Sequence, residues 1–121
     1  MEQSFIYNWI YHFTESWKNH DVEAILNLFD DIQEYYEGPF SDPVSSRDEI
    51  AKLWVETEFQ NIKTLNVEPI ALENGICAMH WFLDYEDSRD NNEYVMDGTY
   101  EVHFDSQGHC IFFKQWWVVA Y

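Results

Sequence analysis

The stretch YVMDGTYEVHFDSQGHCIFFKQWW, residues 94–117, decides the fold. It reads as two long strands joined by a tight polar turn. Tyr94 to Phe104 is a strand, and from Met96 onward apolar and polar side chains alternate, which is the period of a pleated strand. Asp105-Ser-Gln-Gly108 is a turn, with Gly108 free to take a positive φ. Cys110 to Ala120 is the closing strand. The interior glycine, Gly98, marks a strand that bends or lets another group come close.

Upstream, Thr64–Glu73 and Ile76–Glu86 read as a hairpin around Asn74-Gly75, the strongest short hairpin signal. The polar run Asp87-Ser-Arg-Asp-Asn-Asn92 is a loop. The first half of the chain is helical. Ile6, Trp9, Ile10, Phe13 and Trp17 recur at three- and four-residue spacing and form one apolar stripe over residues 4–17, with Ser4 as a candidate cap. Asp21 is the N-cap of a short second helix over residues 22–29. Ser46-Arg-Asp-Glu49 is a capping box that opens a third helix, running to about Phe59. Between them Ile32 to Glu37 reads as a short strand, broken by Gly38-Pro39. Helices followed by hairpin-linked strands give an α+β class: three N-terminal helices packed on a strongly curved antiparallel sheet, residues 1–121 forming one domain.

Composition sets limits. The chain has 121 residues, with 23 acidic and 6 basic side chains and a net charge of −17. Nucleic-acid binding is excluded because phosphate neutralisation needs Lys and Arg, and attraction to anionic membrane surfaces is excluded likewise. No apolar run approaches the ~20 residues of a spanning helix, and the N-terminus lacks a secretory leader, so the expected location is cytoplasmic. Aromatic residues make up 19% of the chain, 9 Phe, 8 Tyr and 6 Trp, far above what a disordered acidic chain carries.

No His-Glu-x-x-His or paired-Cys spacing is present, and the 87–92 loop lacks the glycine and alternating donors of a calcium loop. No metal or other cofactor is expected. Cys77 and Cys110 fall on strands that flank the 94–104 strand. Two strand spacings are about 9.5 Å, beyond the ~7 Å reach of a disulfide, so two reduced, buried thiols are expected. Asp97, Glu101 and His103 share one strand face. As the polar outer face they leave Tyr100 facing inward; as a His–carboxylate dyad they would be chemical. His80 lies opposite the face of Trp81 and belongs to the surface or an interface.

The order and spacing of several pieces resemble the nuclear-transport-factor-2-like superfamily, the SnoaL-like α+β cone. The pieces are Trp17-Lys-Asn-His-Asp21, Ile25-Leu-Asn-Leu-Phe29-Asp-Asp31, Tyr36, Pro39-Phe40 with Pro43, and Arg47-Asp-Glu-Ile50 leading to Trp54. Asp97-Gly-Thr-Tyr-Glu-Val-His-Phe104 and Phe113-Lys-Gln-Trp116-Trp117 complete them. The resemblance spans nearly the whole chain. It implies a conical half-barrel whose helices close one side of the sheet around a pocket, while the outer sheet face packs on a second copy. That scaffold carries isomerases, dehydratases, cyclases, epoxide hydrolases and plain binding modules.

The acids that such enzymes use fall on other residue types here. The position after the first strand lies at Tyr36 to Gly38, with only Glu37 near. The strand position that holds an acid partner is Tyr100, and the residue after the final aromatic pair is Val118. The expected function is therefore binding of a small, largely apolar or aromatic molecule without an assigned reaction. Candidate pocket residues are Trp9, Tyr36, Trp54, Trp81, Tyr100, Phe113, Gln115 and Trp117, with Lys114 and Trp116 as the inward pair if the last strand has the other parity. One alternative is a lyase or isomerase using Tyr7, Tyr11, Tyr36 and Tyr100 with His103 or Glu37 as base. Another is a structural dimer or protein-interaction module. A homodimer through the outer sheet face is expected, because both faces of the 76–86 strand carry apolar groups.

Overall fold

The computed structural model describes residues 2–120. Helix α1 (Gln3–Lys18) buries Ile6, Trp9, Ile10, Phe13 and Trp17, the stripe set by its 3.6-residue period. Its N-cap is Glu2, without a side-chain capping bond, so Ser4 does not cap it. Asp21 accepts the Ala24 amide at 3.1 Å and opens α2 (Val22–Leu28). Ser46 and Glu49 form the reciprocal capping box of α3 (Arg47–Trp54). The third helix is shorter than the sequence suggests. Val55–Phe59 tightens into a 3₁₀ segment and leads straight into the sheet.

The sheet has five strands in the order β1-β5-β4-β3-β2: β1 (Glu34–Tyr36), β2 (Gln60–Glu73), β3 (Ile76–Asp87), β4 (Glu93–Phe104) and β5 (Cys110–Ala120). The four long strands are antiparallel, but β1 is only three residues and pairs parallel with β5, Tyr35 opposite Phe113. Strand β2 starts at Gln60, four residues before the alternation becomes clear, and is interrupted between Ile62 and Thr64 and between Pro69 and Ala71. Such irregularities increase local twist. The turn between β2 and β3 has positive φ at both Asn74 and Gly75, the backbone an Asn-Gly hairpin requires.

The helices cover one face of the curved sheet. Inward side chains of β3 and β4, from Cys77 to Leu83 and from Tyr100 to Phe104, alternate as buried positions. The two thiols are buried and unbonded. Phe13 sits in the middle with no solvent exposure and contacts the rings of Trp9, Trp17, Phe29, Trp54, Tyr100 and Phe113. Among the described residues, no helix is long and apolar enough to cross a membrane.

Gly98 faces this interior, opposite Trp81 on β3 and Trp117 on β5. A Cβ there would lie 2.0 Å from the Trp116 carbonyl oxygen and 2.8 Å from Trp81 Nε1. The missing side chain is thus what lets β5 close over β4 while the Trp81 ring lies across the gap. Backbone cannot yield as a flexible side chain would. Gly98→Ala is expected to cost about 3 kcal/mol or more, beyond an ordinary overpacked site, measured by urea unfolding. A loss under about 1 kcal/mol would show that the curvature does not depend on this contact.

Candidate functional site

The end of the interior nearest the start of α1 is filled. Trp9 packs against Phe104 at 5.5 Å and against Phe29 at 6.1 Å, and Phe5 closes on Phe104. Toward the other end of α1 a cavity of about 200 Å³ remains. Its walls are Trp17 from α1, Trp54 from α3, Trp81 and Leu83 from β3, and Tyr100 and Met96 from β4. Glu37, Glu56, Gln115 and Trp117 also border it. A wider groove of about 710 Å³ lies outside, along Gln60–Asn66 and the end of α1. Its lining is mostly exposed and half-buried side chains of an edge strand, with Leu65 buried.

Of the candidate residues, the structure brings Trp54, Trp81, Tyr100, Gln115 and Trp117 around the interior cavity. Trp9 and Phe113 are fully buried in the packed part and do not border it. Tyr36 points to the opposite face of the sheet, where it packs on Phe112 and under the Lys114 ammonium. Its neighbour Tyr35 takes the inward place, 2% exposed and stacked on Phe113 at 5.0 Å. A three-residue strand carries too little alternation to reveal its parity, and pairing with β5 decides it. That pairing also settles the last strand: Gln115 and Trp117 face in, and Lys114 lies outside between Tyr36 and Trp116. Tyr7 and Tyr11 are on the solvent side of α1, 55% and 59% exposed. His103 is on the outer sheet face, 2.6 Å from Glu101 and stacked on Phe112. None of these three reaches the cavity, whereas Tyr100 and Glu37 of the same alternative border it. His80 is likewise outside, chelated by both oxygens of Asp97 at 3.0 Å.

Sequence reasoning missed Tyr35, Trp17 and Gln60. Trp17 was visible as the last member of the apolar stripe; its indole N–H donates to Gln60 Oε1 at 2.8 Å. The buried polar contact of the site is the Trp54 indole, which donates to the Tyr35 hydroxyl at 2.9 Å. One acceptor site on that oxygen is thereby used, while the hydroxyl proton is free to be donated. Tyr100 is 2% exposed with Tyr35 near its hydroxyl, and that hydroxyl has no hydrogen-bond partner among the described residues. Trp81 Nε1 is a buried donor, also unpartnered. The site therefore offers donors at Tyr35, Tyr100 and Trp81.

Both tyrosines stay neutral well into the alkaline range. Burial pushes each hydroxyl up from its ordinary value, and the Glu37 carboxylate adds to the effect on Tyr35. Burial likewise pushes the Cys110 thiol up. The native state thus holds protons that the unfolded chain releases, so the sign of the linkage is destabilising as pH rises. Stability should be complete below about pH 9 and then fall, by about 1.4 kcal/mol per pH unit for each buried tyrosine above pH 10. Denaturant unfolding followed from about pH 8 to about pH 11 measures this, and Tyr35→Phe should make the decline shallower. An unchanged slope in that variant would show that the hydroxyl is not held neutral by burial.

No family model matches the sequence, and no curated protein matches it. Solved structures do. SalBIII, an epoxide hydrolase/cyclase-like enzyme with a role in pyran ring formation in the polyether salinomycin, aligns with a TM-score of 0.73. The alignment covers 92% of this chain and 88% of that one, at 12% sequence identity. The fold of this chain is that of the nuclear-transport-factor-2-like, SnoaL-like α+β cones.

Proposed function

We propose that this protein binds a small, largely apolar single-ring molecule in the cone, with an oxygen acceptor of that molecule seated against Tyr100. The carrying observation is a hollow walled by aromatic rings and bordered both by Tyr100, whose hydroxyl makes no hydrogen bond among the described residues, and by Trp81, whose Nε1 is a buried donor without a partner. An unpaired buried donor costs about 1–3 kcal/mol, a cost that a ligand acceptor removes. Cavity size sets the ligand class. A dry cavity of about 150 Å³ accommodates benzene, so about 200 Å³ suits one ring with a short substituent. The role of SalBIII concerns a polyether, and the fold likeness alone does not carry that chemistry here.

Calorimetric titration with acetophenone, a neutral ring bearing one carbonyl, tests the reading. At the ligand efficiency of very small ligands, binding at about 0.1–1 mM is expected. Tyr100→Phe should weaken it by about fivefold, the worth of one neutral hydrogen bond. Absence of saturable binding by acetophenone and by equally small phenols and ethers would overturn the proposal.

The same reading includes a homodimer formed through the outer sheet face. Its support is apolar surface left uncovered there: Ile76 and Val118 are 47% and 69% exposed, and Phe82, Phe112 and Trp116 are half-buried beside them. Sedimentation velocity should give twice the 14.6 kDa chain mass. A strictly monomeric protein at high micromolar concentration would remove this part.

A further inference from the structure

Charge is distributed unevenly around the cavity. Its side chains include two carboxylates, Glu37 and Glu56, and no Lys, Arg or His. Both carboxylates are on exposed residues at the opening. Glu56 is shared with Arg89, whose guanidinium also holds Asp87 at 2.8 Å. One cation between two carboxylates leaves that group at net −1. Glu37 has no ion-pair partner among the described residues. The cation of β5, Lys114, is on the other face of the sheet, held over the Tyr36 and Trp116 rings. Beside Glu37, the Trp117 indole donates to the Glu37 carbonyl at 3.3 Å and is 45% exposed. An indole face next to a free carboxylate attracts cations through both its quadrupole and the charge. The protein's net charge of −17 adds a field of the same sign over the opening.

The depth of the cavity is the converse. It holds no ionised group; Trp81 Nε1 is a buried donor without a partner, and the Tyr100 hydroxyl, able to donate, is on a side chain equally 2% exposed. We propose that the ligand is a single-ring cation with polarity to match: an acceptor oxygen inside, against Tyr100, and a protonated amine outside, between Glu37 and Trp117. This rests on the cavity-binding reading above and adds the charge and orientation of the ligand.

The test uses compounds of one skeleton, para-acetylbenzylamine, para-acetylbenzyl alcohol and para-acetylbenzoate, titrated calorimetrically at low salt and neutral pH. The amine should bind about fivefold tighter than the alcohol, and the benzoate about fivefold weaker, the upper range for an exposed charge pair. High salt should compress the series, since the opening is solvated. In Glu37→Gln the gap between amine and alcohol should close. para-Ethylbenzylamine, which lacks the acceptor, should bind more weakly than para-acetylbenzylamine to the wild type and equally to Tyr100→Phe. An alcohol that binds as tightly as the amine, or a gap that survives Glu37→Gln, overturns the cation assignment and leaves the cavity reading standing. Binding of none of the compounds overturns both.

Discussion

The packing of six aromatic rings around Phe13 determines what the rest of this fold can hold. Phe13 comes from α1, Phe29 from the end of α2, Trp54 from the end of α3, Tyr100 from β4 and Phe113 from β5. Every layer therefore meets at one ring, mostly edge to face, the arrangement that π quadrupoles favour. On the side of Phe13 nearer the chain start, Trp9, Phe5 and Phe104 complete a solid core. On the other side Trp17, Trp54 and Trp81 are too wide to interleave completely. Trp17 meets Trp54 at 5.0 Å and Trp81 at 6.3 Å, and the hollow is what their rings leave. Its walls are stiff for the same reason. Rings have few rotamers, and the Trp17–Gln60 and Trp54–Tyr35 hydrogen bonds fix two of them further. A cavity with such walls keeps its shape when empty, which lowers the ordering cost of binding.

Much of this was legible in the residues, and the failures have a common physical cause. The α1 stripe, the Ser46–Glu49 box, the Asn74-Gly75 turn and the inward Gly98 are each specified by local chemistry, and the structure realises each of them. What could not be read locally was anything decided by pairing at a distance. Tyr35 and Tyr36 are chemically alike and adjacent, and only registration with Phe113 and Lys114 separates them. The parity of Gln115 and Trp117 depends on where the β4–β5 irregularity falls. It lies at the start of the pair, between His103 and Phe104, so everything beyond it runs in step. Had the extra residue fallen after Phe113, Lys114 would have been inside. Trp9 and Phe113 were rightly placed on inward faces, but an inward face does not distinguish a ring that fills space from one that borders it.

The division between a neutral interior and an acidic exterior follows from these placements. Burying a carboxylate without a partner would cost several kcal/mol, and this chain, with 23 acids and 6 bases, has few cations to offer as partners. Asp87, the acidic residue among the buried positions, is bound to Arg89, while Asp84 has one oxygen buried without a partner. The interior must then satisfy its polarity with neutral groups, and the rings that fill it supply the kind. Indole donates only, and a phenol already accepting from Trp54 has its proton left to give. Donors therefore gather inside, the Trp81 indole without an acceptor, while at the rim Glu56 shares Arg89 with Asp87 and Glu37 has no ion-pair partner among the described residues. Both imbalances arise from one compositional fact, an aromatic-rich, base-poor chain folded around a hollow. Each is relieved by the same kind of molecule, one that brings an acceptor to the depth and a positive charge to the opening.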